Sequence, residues 1–92
     1  MLQQLTQFDF HHRLAETPGP SLVWFSGPGC GACRQLRRLF ESNPDAFSGL
    51  QLFEVDAQQD MALTREFEVF HLPSLFLFLD GHYHAPRDRG YW

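Results

Sequence analysis

The amino-acid sequence predicts an α/β fold: a mixed β-sheet assembled as βαβ and then ββ, with helices flanking both faces. Three observations carry this reading. Apolar runs at 22–26, 50–56 and 74–79 have the length of strands and are bounded by Gly, Pro, Asn or Asp. Between them apolar residues recur at helical spacing, most clearly after Cys33 and after Asp60. The last run ends on Asp80-Gly81, a hairpin dipeptide, so the chain returns antiparallel.

Taken in order, Leu2–Leu5 suits a short edge strand. Thr6 followed three residues later by Asp9 has the form of a helix start. Phe10 and Leu14 then lie four apart on one face, predicting a helix over about 7–16 that Thr17-Pro18-Gly19-Pro20 ends, with His11 and His12 outside. Leu22–Ser26 is apolar on both faces, as a covered central strand is. A helix over about 31–42 sets Ala32, Leu36, Leu39 and Phe40 against Arg34, Arg37 and Arg38, and Pro44 stops it by disfavouring helical geometry at Asn43. Residues 43–49 form a loop with Phe47 tucked on the core. Leu50–Asp56 is mostly buried through Leu50, Leu52, Phe53 and Val55, and Glu54 is expected there as a strand-edge charge rather than a proton acceptor. Asp60 caps a further helix with Ala62, Leu63 and Phe67 inward and Arg65, Glu66 and Glu68 outward. Ser74–Leu79, the most apolar run, is predicted as a core strand, and His82 to about Ala85 as its antiparallel partner.

The chemistry lies in Leu22–Glu41, where an apolar strand passes through Ser26-Gly27-Pro28-Gly29 into Cys30-Gly31-Ala32-Cys33 and a helix. Cys30 falls at the helix start, where unpaired N–H groups and the positive end of the macrodipole favour an anion such as a thiolate. Cys33 is one turn on, placed to attack a mixed disulfide on Cys30, and the small Gly31 and Ala32 let a partner sulfur approach. A C-x-x-C can also be half of a zinc site or two buried thiols. The chain has two cysteines and no second C-x-x-C. Its histidines, 11, 12, 71, 82 and 84, give no finger-like pair, so no metal is expected and redox chemistry leads.

These features in this order resemble the thioredoxin family over roughly residues 5–90: the apolar strand before C-x-x-C, the helix after it, the strand ending Val55-Asp56, and Leu72-Pro73-Ser74 opening Leu75–Leu79. The resemblance implies a thioredoxin-like fold in a single domain over 1–92, with a cis Pro73 facing the C-x-x-C and shaping the substrate groove. It implies Cys30 and Cys33 as the catalytic dithiol and the Leu72 backbone as a substrate-binding edge. It also implies a protein disulfide as substrate, a thioredoxin-reductase-like recycling partner and no cofactor. This sequence departs from the family in having Gly29 before the first cysteine instead of Trp, and Gly31-Ala32 instead of Gly-Pro. Trp24 stands where the family has a buried Asp, and Leu52 where it has the accompanying Lys, so the buried acid–base pair is expected to be missing. His71, two residues before Pro73, is then a candidate for shaping the site and accepting a proton. Gly90 sits where the family's final helix begins, so that helix is expected to be absent and the sheet face it leaves to serve as a dimer contact.

Composition narrows the remaining classes. A 43% hydrophobic content with ten Phe marks a globular domain, and a net charge of −4 argues against nucleic acid as a general partner. No apolar run suits a signal peptide or a membrane helix, so the chain is expected in the cytoplasm and away from the membrane. There a C-x-x-C is more often catalytic than structural. Two rivals stay open: a thioredoxin-fold binding module with vestigial cysteines, and a metal or cluster protein using Cys30 and Cys33 across a dimer.

Overall fold

The computed structural model of the chain describes residues 2–84. In chain order these form β1 (Leu2–Leu5), α1 (Phe10–Ala15), β2 (Pro20–Ser26), α2 (Gly31–Ser42), a 3-10 turn (Pro44–Phe47), β3 (Gln51–Asp56), α3 (Met61–Glu66), β4 (Ser74–Leu79) and β5 (His82–Tyr83). The five strands make one sheet in the order β1-β3-β2-β4-β5. β1 and β2 run parallel to β3, and β4 runs antiparallel to both β2 and β5. This is the mixed βαβ-then-ββ sheet of a thioredoxin-like fold.

Strand alternation sorts the side chains into two layers. On one face Leu5, Val23, Phe25, Phe53, Val55 and Phe78 meet Phe10 and Leu14 of α1 and Leu63 of α3. Phe67, Phe76, Phe78 and Tyr83 extend this layer as edge-on and tilted aromatic pairs, with centroids 5.3–6.3 Å apart. On the other face Trp24 and Leu52 pack with Cys33 and Phe40 of α2. The register holds the second layer in line, with Trp24 opposite both Glu54 and Leu75, and Leu22 opposite Leu52 and Leu77.

Several expectations need correction. α1 begins at Phe10 rather than near residue 7. The Asp9 carboxylate turns back to accept from the Thr6 N–H at 2.7 Å and the Thr6 hydroxyl at 3.1 Å, so residues 6–9 close a side-chain turn that competes with helix. Asp60 precedes α3 without capping it through its side chain. Its carboxylate is buried and accepts the N–H of Gln7, tying α3 to the chain before α1. Ala62 is exposed. β4 is buried on one face only: Phe78 is enclosed, whereas Leu75, Leu77 and Leu79 alternate outward, because α2 covers β2 and β3 but not β4. The predicted end of the return strand at Ala85, and Gly90 with the question of a final helix, lie outside the described residues.

Candidate active site

β2 delivers the chain through Ser26-Gly27-Pro28-Gly29 to the first turn of α2. Gly29 has φ +74°, a left-handed conformation that glycine adopts without steric cost, and this turns the strand sharply into the helix. Cys30 is the N-cap residue of α2 in extended conformation, and its sulfur accepts the N–H of Cys33 at 3.1 Å. The two cysteines are joined by a disulfide with their Cα atoms 5.2 Å apart. Cys33, at 2% exposure, is packed in the α2 layer, while Cys30 is half-buried and Gly31 and Ala32 are exposed. A thiolate released at Cys30 therefore lies at the N-terminus of a twelve-residue helix, with a backbone donor already aimed at it. The Arg34 guanidinium lies near enough to Gly31 that a side chain there would touch it.

The segment before β4 closes over this turn. The Leu72–Pro73 peptide bond is cis. The Leu72 side chain packs against both core layers and covers Gly27 so closely that a methyl group on Gly27 would lie 2.8 Å from it. Leu72, Pro73, Cys30, Cys33, Gly29, Gly31 and Ala32 are thus gathered at one end of the sheet. His71 is exposed. It borders a cleft of about 750 Å³ with Glu66, Phe70, Pro73, Leu75 and Tyr83, and neither cysteine lines that cleft. Its backbone carbonyl accepts the Ser74 hydroxyl at 2.6 Å, which fixes the turn into β4. Phe70 in the same rim is 88% exposed, an apolar contact that the helical periodicity of α3 gave no reason to single out.

Trp24 and Leu52 stand in the apolar layer in place of the family's acid–base pair, and a different ion pair, Glu54–Arg37, lies beside them. Glu54 is 4% exposed, in β3 between β1 and β2, and is not a strand-edge charge. Its Oε2 accepts from the Ser26 hydroxyl at 2.5 Å and from the Arg37 guanidinium of α2. That guanidinium also lies over the Trp24 ring, 5.3 Å from its centroid. Trp24 is fully enclosed, and its indole N–H meets no protein acceptor among the described residues. Sequence reasoning treated Arg37 as the solvated face of α2 and Glu54 as an edge. The available signal was the lone acid inside an otherwise apolar strand, which burial forces to find a partner. Among the described residues no group of three or more His, Cys, Asp or Glu side chains is placed to hold a metal ion, and no helix is long and apolar enough to cross a membrane.

Comparison with known proteins agrees with this geometry. The Thioredoxin family profile matches residues 1–89. The chain is 36% identical over 93 residues to a probable protein disulfide-isomerase ER-60 of Schistosoma mansoni, covering 92% of this chain and 19% of the relative. It is 34% identical to protein disulfide-isomerase A3 of Gallus gallus over 91% of this chain and 18% of the relative. It is 26% identical to a thioredoxin of Griffithsia pacifica over 87% of this chain and 74% of that protein. The chain thus spans about a fifth of the length of these two isomerases. With its cysteine pair at the start of α2, its Leu72–Pro73 turn and a profile match over nearly all its length, the chain belongs to the thioredoxin family.

Proposed function

We propose that the chain is a thiol–disulfide oxidoreductase acting on protein disulfides through Cys30 and Cys33. The observation that carries this is the Cys30–Cys33 disulfide set at a helix N-terminus, with Cys30 within reach of solvent and Cys33 enclosed. In the reduced state the Cys30 thiolate attacks one sulfur of a substrate disulfide, forming a mixed disulfide and releasing the first substrate thiolate, which takes a proton. Cys33 then loses its proton and attacks the Cys30 sulfur. The second substrate thiolate leaves, the substrate has gained two electrons, and the Cys30–Cys33 pair has lost them. A thioredoxin-reductase-like partner returns two electrons and two protons to the pair. With a dithiol substrate the same steps run in reverse.

Leu72 and Pro73 form the substrate edge in this reading, since they pack on the turn that carries Cys30, and Gly29, Gly31 and Ala32 keep the approach to Cys30 low. His71 shapes the neighbouring rim. The cytoplasmic placement is supported by the confinement of both cysteines to the exchange site, and cell fractionation tests it. The exposed Leu75, Leu77 and Leu79 stripe supports pairing of two copies across that sheet face.

The test is trapping. Cys33→Ser, offered a disulfide-containing protein such as insulin, accumulates a mixed disulfide on Cys30, while the wild-type chain turns over and Cys30→Ser does neither. Absence of both turnover and trapping sinks the redox reading and leaves a thioredoxin-fold binding module.

A further inference from the structure

We propose that the cleft beside Pro73 selects protein disulfides whose flanking chain carries a lysine or arginine. The inference rests on the thiol–disulfide reading and names the substrate class of that same site. Neither cysteine lines this cleft of about 750 Å³, so it lies beyond the exchange turn itself. Three of the residues lining it are rings in edge-on or tilted contact: Phe67, Phe76 and Tyr83, with centroids 5.3–6.3 Å apart. Phe70 adds a fourth ring and is 88% exposed, an apolar surface that water solvates poorly. Pro73 and Ser74 line the cleft as well, and Ser74 is paired with Phe25 of β2, the strand that runs on into the exchange turn. A polypeptide held along Leu72 and Pro73, with its disulfide at Cys30, therefore reaches the cleft by continuing its own chain, at ~3.3 Å per extended residue.

Rings alone would accept any apolar side chain, and the charges of the cleft narrow the choice. Glu66 and Glu68 line it, and among the described residues no arginine does. Glu66 lies 3.1 Å from the His11 imidazole of α1, and His71 borders the cleft. Glu68 has no ion-pair partner among the described residues. The methylene stem of a lysine or arginine packs on aromatic surface and carries its charged head outward to a carboxylate. The negative faces of the rings attract the same cation. An acidic side chain in that place meets two carboxylates, so the cleft discriminates by repulsion as well as by attraction.

The experiment compares disulfide-linked peptides that are identical except for one arginine or one glutamate, walked outward from the reacting cysteine on either side. The readout is the ratio of kcat/KM for the arginine and glutamate peptides at each position, taken within each protein so that a general loss of activity cancels. Wild type favours arginine about fivefold at the positions that reach the cleft, the scale of a screened ion pair joined to an exposed ring–cation contact. Added salt shrinks that ratio. Glu66 and Glu68 are exposed, so their variants fold. The ratio falls to about one in the Glu66→Gln/Glu68→Gln double variant and inverts in Glu68→Lys. Equal rates on the two peptides at every position overturn the proposal, as does a preference that survives in the double variant. Sedimentation that drops to monomer in Glu68→Lys while the ratio stays at its wild-type value gives the cleft to a second copy of the chain and also overturns it. A wild-type chain that reduces neither insulin nor any of the peptides removes the underlying reading and this inference with it.

Discussion

Gly27 shows how one absent methyl group links the core to the exchange site. A Cβ there would meet only the far end of the Leu72 side chain, at 2.8 Å, so Gly27→Ala is accommodated by displacing Leu72. Leu72 belongs to both packed layers and precedes Pro73, so that displacement moves the edge proposed to hold substrate relative to Cys30. Gly27→Ala is expected to cost about 1–2 kcal/mol in urea unfolding and to slow insulin reduction by roughly tenfold, the scale on which small misplacements of reacting groups are felt. Full activity in a folded variant would contradict the role of Leu72. His71 is the contrasting case. Its exposure and its place on the Glu66–Tyr83 cleft predict that His71→Ala leaves the thiolate absorbance titration of Cys30 unchanged. A raised Cys30 pKa in that variant would return His71 to the proton path.

Among the elements, the β4–β5 hairpin and the start of α1 owe their form to single residues. Asp80 and Gly81 both have positive φ, 51° and 82°, the geometry of a tight two-residue hairpin turn. Asp80 also binds the Gly19 N–H through its carboxylate and the Gly19 carbonyl through its own N–H, anchoring the hairpin to the start of β2. A Cβ on Gly81 would lie 2.6 Å from the Leu14 carbonyl oxygen, which is backbone and cannot swing aside. Gly81→Ala is therefore expected to destabilise by at least ~2 kcal/mol, combining the left-handed penalty with the clash, and thermal melting measures it. At α1, the Thr6 N–H bond, with smaller help from the Thr6 hydroxyl and Arg13, holds the Asp9 carboxyl below its usual 3.8. A carboxyl depressed on folding contributes stability that is complete above 3.8 and is lost as the pH falls through its folded value. Asp9→Asn is thus expected to cost roughly 0.5 kcal/mol at pH 7, a figure kept small by its exposure. Its urea curve should merge with wild type in acid. A difference that persists at low pH would assign the effect to something other than this charge.

At the scale of the molecule, the two sheet faces are unequally covered among the described residues. One face carries α1 and α3 over a continuous aromatic layer, and the other carries α2 over β2 and β3, leaving the leucines of β4 outward. The pairing proposed across this stripe predicts that Leu77→Lys shifts the sedimentation of the concentrated protein towards monomer while leaving disulfide exchange at Cys30 unaltered. A wild-type chain that sediments as a monomer at every concentration removes the dimer reading.

The sequence by itself determined the order of strands and helices and the place of the exchange pair. These are read from local pattern: apolar runs, helical spacing, Asp80-Gly81, and two cysteines at a strand-to-helix turn all act over a few residues. It also placed Pro73 at the mouth of β4. Only the tertiary structure decided which charges are buried and what meets them. Glu54 and Arg37 are 17 residues apart and belong to different elements, so no local pattern pairs them. They meet because the parallel register sets Glu54 beside Trp24 on the face that α2 covers. The same distinction explains Asp60, whose position promised a helix cap until folding brought Gln7 to its carboxylate. It also explains β4, where an apolar run says that a strand forms and only the packing of α2 says which of its faces is enclosed.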